Sequence, residues 1–441
     1  MIFSIAKRPA LGLVLGFIAA ILIGTFMLLL PAATPAGDPI SFVDALFTAT
    51  SATCVTGLIV RSTPLGFTFF GKTVILLLIQ LGALGLMTFS IALIITLGKK
   101  ISKAQEMLLV DALNEDNIRS ARKILNFLLI FTFGAEAAGT VLLFFGFRTC
   151  FPPGEAFKMA LFHSVSAFCN AGFSLFDTSI TGFSSNIYIL AVVGVLIILG
   201  GIGFVVLLDC KNYISRETRR FKLHTKLAVA TTLILLLSGT LFFYAAEKNN
   251  VLAGMSKNAK WANSIFCSVT ARTAGFNSVD TSKIKPFSKF ITCALMFIGA
   301  SPGGTGGGVK TITFAVIFLL VLNHIRSRGD LVIYRRSIPS FLAVRAVAIL
   351  VYAAVITFTA CSIILFVENF PLQNIVFEVV SAFGTVGLST GITAGLSDTS
   401  KQVLTAVMFM GRLGPLTIAL AAIGRKERLS ISYASERVML G

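Results

Sequence analysis

The chain has 441 residues, 56% of them apolar and only 13% charged, with a mean hydropathy of +0.89. A soluble domain carries about twice that share of charge, and no single soluble core hides so much apolar surface; a soluble enzyme, a disordered regulator and a fibrous protein are excluded, which leaves a polytopic helical membrane protein. The 37 Lys and Arg against 19 Asp and Glu give +18, but the bases sit in short loops between apolar runs, so they read as topology signals and not as a nucleic-acid surface.

Lys7 and Arg8 precede a first apolar run at 11–31, and more spans follow without a clear cleavage site, so this run reads as a membrane helix and not a signal peptide. A short apolar segment at 41–52 leads to Gly57, and a long run covers 73–97. The linker 98–123 mixes Lys99, Lys100, Glu106, Asp111, Glu115 and Arg119 with Leu108, Leu109 and Val110. That is the pattern of an amphipathic cytoplasmic helix suited to a regulator or to anionic lipid.

The order then recurs. Runs at 124–147 and 187–208 flank a short segment at 155–168, and Lys211, Arg216, Arg219, Arg220, Lys222 and Lys226 follow. Runs at 227–246 and 290–322 flank 259–271, before bases from Arg326 to Arg345. Runs at 341–367 and 402–423 flank 372–383, before a short polar tail. Each long run crosses a bilayer core, which takes about 20 helical residues, and the short segments read as re-entrant half-helices. The expected fold is all-α, with eight transmembrane helices and four re-entrant helices, in units 1–97, 98–209, 210–322 and 323–423 plus a tail, 424–441. The basic ends and linkers place both termini in the cytoplasm.

The repeat carries the functional signal. Four loops align on one glycine without a gap: Ser51-Ala-Thr-Cys-Val-Thr-Gly57, Ser166-Ala-Phe-Cys-Asn-Ala-Gly172, Val269-Thr-Ala-Arg-Thr-Ala-Gly275 and Ser381-Ala-Phe-Gly-Thr-Val-Gly387. The glycines are 115, 103 and 112 residues apart, and further glycines recur in the helix after each loop, at Gly82/Gly85, Gly200/Gly203, Gly299 and Gly411/Gly414. Four loops around an axis supply a ring of backbone carbonyls that replaces the water of a desolvated cation. Glycine turns those carbonyls inward without a Cβ clash, and the half-helices aim their negative C-terminal ends at the site. Four ordinary turns of common origin would not need to stay in register, so the loops read as a pore.

Gly303, Gly304, Gly306, Gly307 and Gly308 interrupt the apolar stretch Ile291–Leu322, beside Pro302 and Thr305. Glycine at about 1 kcal/mol per residue against alanine does not hold a helix there, so the span opens into a loop at mid-membrane. The resemblance of 303–311 to a phosphate-binding loop fails, because Val309 displaces Lys310 by one place and no lone strand precedes it; a static kink needs fewer glycines. Lys310 and Arg412 are charges at membrane depth, where charge is functional by default, as an electrostatic barrier, as donors that hold the loop closed, or paired with a carboxylate such as Glu136. The side chain of Arg272 is expected to turn from the axis and brace the third loop, and Asn170 to brace a neighbouring one or serve as a ligand. Asp44 and Glu378 lie in half-helices and either attract cations or hydrogen-bond. The seven cysteines show no metal or disulfide spacing. His163, His224 and His324 are isolated, and no catalytic set recurs, so a membrane-embedded enzyme is unsupported.

These loops, together with Gly299-Ala-Ser-Pro-Gly-Gly-Thr-Gly-Gly-Gly-Val-Lys-Thr311, resemble the Trk/Ktr/HKT superfamily of potassium transporters over essentially the whole chain. The length resembles the Ktr branch, with its KtrB subunits, more than the TrkH branch with its extra N-terminal helices. The resemblance implies four M1–P-loop–M2 repeats in pseudo-fourfold array around one pore, in a homodimer in the bacterial inner membrane. It implies potassium uptake, with sodium as a linked ion, and a cytoplasmic RCK-type ring that binds nucleotide, so that no cofactor and no nucleic acid belongs to this chain. By position it implies ion-coordinating carbonyls on Cys54, Val55, Thr56 and Gly57; on Cys169, Asn170, Ala171 and Gly172; on Arg272, Thr273, Ala274 and Gly275; and on Gly384, Thr385, Val386 and Gly387. Residues Ser301, Gly303, Gly304, Thr305, Gly306, Gly307 and Gly308, with Lys310 and Arg412, would form the gate. Sodium-selective plant relatives carry serine at the first filter glycine, so Gly57 points to potassium; a sodium-conducting or poorly selective relative is the alternative. The loops differ from the TVGYG of tetrameric potassium channels.

Overall fold

The computed structural model describes residues 9–85, 118–326, 331–334 and 336–414. Within them the chain is helical apart from one small hairpin, in which β1 (Val332–Ile333) pairs antiparallel with β2 (Arg336–Ser337). In chain order the helices are α1 (Pro9–Leu29), α2 (Phe42–Thr53), the short α3 (Thr63–Gly66) and α4 (Phe69–Leu84). Next come α5 (Ile118–Phe147), α6 (Pro153–Phe168), α7 (Ile187–Gly201) and α8 (Phe204–Ile214). Then α9 (Leu223–Glu247), α10 (Lys257–Thr270), α11 (Pro286–Phe297) and α12 (Thr311–Ile325) precede α13 (Ser340–Val367), α14 (Leu372–Gly384) and α15 (Asp398–Leu413).

Four described helices, with spans Leu11–Leu29, Leu125–Phe147, Leu223–Glu247 and Ser340–Val367, are long and apolar enough to cross a membrane, so the protein is membrane-embedded. Their outward faces stay apolar, with Phe133, Phe358 and Phe366 exposed, because lipid covers them. The four short helices α2, α6, α10 and α14 are instead largely buried. Each starts at a local signal. The Ser41 hydroxyl accepts the Asp44 N–H at 3.1 Å, and the Ser256 hydroxyl accepts the Ala259 N–H at 3.3 Å. At α6 and α14 the entry is Pro152-Pro153 and Pro371, whose fixed φ suits a first turn.

Two apolar runs differ from straight spans. The run 187–208 is bent by 96° between α7 and α8, at Gly203 with its φ of 96°. The run 290–322 is two helices around the glycine segment 298–310. α4 and α15 end at Gly85 and Gly414, whose φ values are 76° and 78°. The rest of the runs 73–97 and 402–423, the amphipathic linker up to residue 117 and the tail lie outside the described residues.

The core forms at the seams between successive units. Ile21, Phe47 and Leu58 pack with Phe383 and Leu404; Val55 and Ile79 with Phe162 and Phe173; Phe168 and Leu196 with Phe266 and Phe276; and Leu235 with Met296, Phe377 and Leu388. Burial at about 25 cal/mol per Å² holds the short helices where their loops meet.

Candidate ion pathway

Each short helix ends where a glycine loop begins, and the backbone there is patterned identically four times. Two residues before each glycine the chain is left-handed, at Val55 (φ 58°), Asn170 (60°), Thr273 (69°) and Thr385 (48°). The glycines themselves have φ of 89° at Gly57, 69° at Gly172, 78° at Gly275 and 91° at Gly387. Val55, Thr273 and Thr385 are β-branched, so this conformation is strained and persists only because the surroundings impose it.

The turn sends the N–H groups back into the preceding helix. In the first loop the N–H groups of Cys54, Val55 and Thr56 donate to the carbonyls of Thr50, Ala52 and Ser51 at 2.7, 3.1 and 2.7 Å. In the second, Cys169, Asn170 and Ala171 do the same to Val165, Ala167 and Ser166 at 2.9, 3.1 and 2.8 Å. Arg272 and Ala274 donate to Val269 and Thr270 at 3.1 and 3.0 Å, and Thr385 and Val386 to Ala382 and Ser381 at 3.1 and 2.8 Å. No donor among the described residues reaches the carbonyl oxygens of 54–57, 169–172, 272–275 or 384–387.

The loops close on one another. A Cβ on Gly57 would stand 3.1 Å from the Cα of Gly172, one on Gly172 3.0 Å from Gly275, one on Gly275 3.1 Å from Gly387, and one on Gly387 2.9 Å from Gly57. The same hypothetical carbons would fall against the carbonyl oxygens of Ala171, Ala274, Val386 and Thr56. Only glycine permits this approach.

Hydroxyls that sequence reasoning passed over hold the loops. Ser51 donates to the Leu58 carbonyl at 2.7 Å and accepts the Gly57 N–H at 3.1 Å, Ser166 donates to Phe173 at 2.7 Å, Thr270 to Phe276 at 2.8 Å, and Ser381 accepts the Gly387 N–H at 3.1 Å. Three of the four stand at one position of the repeat, six residues before the glycine, and that recurrence is the signal in the sequence. Nine residues before the glycine, His163 contacts Ser174 at 2.9 Å, and Glu378 accepts Ser389 and Thr393 hydroxyls at 2.8 Å each. Glu378 is thus a brace. Asp44 pairs with Lys401 at 2.7 Å and ties the first unit to the last.

Above the glycines lies a cavity of about 490 Å³, lined by all four of them, by hydroxyls such as Ser174 and Thr390, and by Asp177 and Asp280. The Ser282 hydroxyl and N–H, at 2.6 and 3.0 Å, and then Lys283 at 3.1 Å hold the Asp280 carboxyl below the usual carboxylate range. Ser62 donates to Asp177, and Thr281 to the Ser389 carbonyl at 2.6 Å, so the outgoing limbs are also tied to one another.

On the opposite side the segment 298–310 lies against the loops. It is pinched at its base, where the Gly299 N–H donates to the Val309 carbonyl at 2.8 Å and the Ser301 and Thr311 hydroxyls meet at 2.9 Å. The N–H groups of Ser301 and Thr305 donate to Gly201 and Gly200 at 3.0 and 3.1 Å, and the Phe204 N–H donates to the Gly303 carbonyl at 3.1 Å. Gly304 packs on the Gly201 carbonyl, Gly306 on the Thr273 hydroxyl and Gly308 on Gly384. The Gly307 N–H donates to the Thr385 hydroxyl at 2.8 Å. Lys310 donates to the Gly306 carbonyl, and Arg412 donates to the Thr305 carbonyl and to that of Gly82.

Neither cation pairs with a carboxylate among the described residues; Glu136 instead accepts Gln80 at 3.3 Å and the Cys169 thiol at 3.6 Å. Arg272 points away from the glycines, toward the carbonyls of Gly299 at 3.3 Å and Thr232 at 3.5 Å. Turned so that its donors are satisfied, the Asn170 amide reaches Ala167 and Ile197 carbonyls at 3.0 and 3.1 Å, and the other side of the amide lies 3.3 Å from the Thr273 hydroxyl of the next loop.

Residues 5–429 match the protein family described as TrkH, cation transport protein. The chain belongs to the TrkH cation-transport family. Its members are transporters and not enzymes. Ktr system potassium uptake protein B of Bacillus subtilis (strain 168) is 38% identical over 98% of this chain and 97% of its own length. Potassium/sodium uptake protein NtpJ of Enterococcus hirae is 34% identical over 97% of this chain and 96% of its own length. The solved TrkH potassium transporter of Vibrio parahaemolyticus, at 18% identity, shares the fold, with a TM-score of 0.70 over 93% of this chain and 85% of that one.

Proposed function

We propose that this TrkH-family chain takes up potassium through one pore whose selectivity filter is the ring of four glycine loops. This rests on one observation: most N–H groups of the loops bond back into their own helices, while the carbonyls of the closed ring have no donor among the described residues. A desolvated cation is the partner such oxygens accept. The four short helices end at the ring with their negative C-terminal poles, and the acidic cavity above concentrates cations at its mouth. In this reading the four units stand in pseudo-fourfold array around the pore. The segment 301–308 is the gate beneath it, and Lys310 and Arg412 are the donors that hold it shut.

The relatives named for Ktr systems support a membrane subunit that works with others. The proposed assembly is a homodimer in the inner membrane, with both termini cytoplasmic and an RCK-type ring, which carries the nucleotide, acting on the gate. The relative named for potassium and sodium favours sodium as a second ion, which a competition assay separates. In proteoliposomes, rubidium uptake should be favoured over sodium by wild type. Gly57→Ser places a side chain at φ 89° against the Ala171 carbonyl and should lower that preference by at least about tenfold, equal to 1.4 kcal/mol. Unchanged preference in a folded variant would remove the ring as the selective element.

A further inference from the structure

We infer that Thr385 is a latch through which ion occupancy of the filter and docking of the intramembrane loop control each other; the inference rests on the filter and gate readings above. The loop touches the filter units unequally. In the first and second filter loops the left-handed residue is held by groups outside the glycine segment, Val55 by packing over Gly82 and Asn170 by its amide bonds to Ala167 and Ile197, although the glycine segment does bond to the second unit at Gly200, Gly201 and Phe204. The third and fourth lean on the loop, because Thr273 is covered by Gly306 and the Thr385 hydroxyl accepts the Gly307 N–H at 2.8 Å.

Thr385 sits at φ 48°, a conformation that a β-branched residue keeps only under constraint. Its own carbonyl and that of Val386 belong to the ring. A loop that withdraws removes the Gly307 N–H from Thr385, and with it the support under two ring carbonyls. The docked loop therefore stabilises the geometry that binds the ion. By reciprocity of coupled equilibria, a bound ion stabilises the docked loop to the same degree. A filter filled with potassium thus holds its own gate closed until another force moves the loop.

The test uses the full chain and two readouts, equilibrium potassium binding in detergent and basal rubidium flux in proteoliposomes. Thr385→Val keeps the branched shape and removes the acceptor; it should weaken potassium binding at least about threefold and raise basal flux by a similar factor. Thr385→Ser keeps the acceptor and should restore both toward wild type. Either change without the other, or a Ser variant that behaves like the Val variant, overturns the latch. Excision of residues 304–306 separates the two readings. Flux that fails to rise after excision rejects the gate itself, whereas raised flux on excision with unaltered ion binding in Thr385→Val rejects the latch alone.

Discussion

Ser51, Ser166, Thr270 and Ser381 each place a hydroxyl under the loop that follows them, and in Ser51 one oxygen both donates to Leu58 and accepts from Gly57. Ser51→Ala leaves a buried Gly57 N–H without a partner, which costs about 1–3 kcal/mol. The expected result is a lower melting temperature and weaker potassium binding, whereas Ser238→Ala, which loses only a bond to its own helix at 3.2 Å, should leave potassium binding untouched. These serines stood in the aligned repeat, yet their task was not legible, because it depends on how far the chain turns back on itself. Asp280 makes a second case. Its pKa is depressed, so its charge is complete above the ordinary carboxylate range and is lost only as pH falls through the lower folded value. Apparent potassium affinity at low ionic strength should therefore owe no loss to this group between pH 7 and 5. Asp280→Asn should weaken it about two- to fivefold, less at high salt.

Among the elements, the glycines of the second helix of each unit explain how the short helices are seated. Gly82, Gly200 and Gly411 lie so close to the carbonyls of Thr53, Phe168 and Phe383 that a Cβ would overlap them. In the third unit Gly299 faces the Gly307 carbonyl instead, so the segment 298–310 occupies the place that the end of a short helix fills elsewhere. Gly411→Ala should cost about 1–3 kcal/mol by overpacking, read as a lower melting temperature, while Gly254→Ala meets open space and should not. The recurrence of these glycines was plain in the sequence, and so was the break at 303–308, since five glycines leave a helix no alternative. The 96° bend at Gly203 was not, because hydropathy over 187–208 stays high on both sides of it. Apolar runs report what faces lipid or core and not the direction in which the axis travels.

At the scale of the molecule, four glycine loops with one φ pattern close on one another, and an ion pair joins the two ends of the described chain. Asp44 in α2 and Lys401 in α15, 357 residues apart, form the seam between the first and last units at 2.7 Å. The TrkH-family relationship and the helical, membrane-embedded character follow from patterns spread along the whole sequence. The pairing of each loop with the next depends on contacts between residues over 100 positions apart, and no local pattern specifies them. Anomalous diffraction from crystals grown in rubidium tests most directly whether the ring of carbonyls at Gly57, Gly172, Gly275 and Gly387 binds the ion. The predicted result is a peak on the axis of the four glycines, between the acidic cavity and Gly306–Gly307, that potassium displaces. Peaks confined to the cavity beside Asp177 and Asp280, with none within the ring, would contradict it.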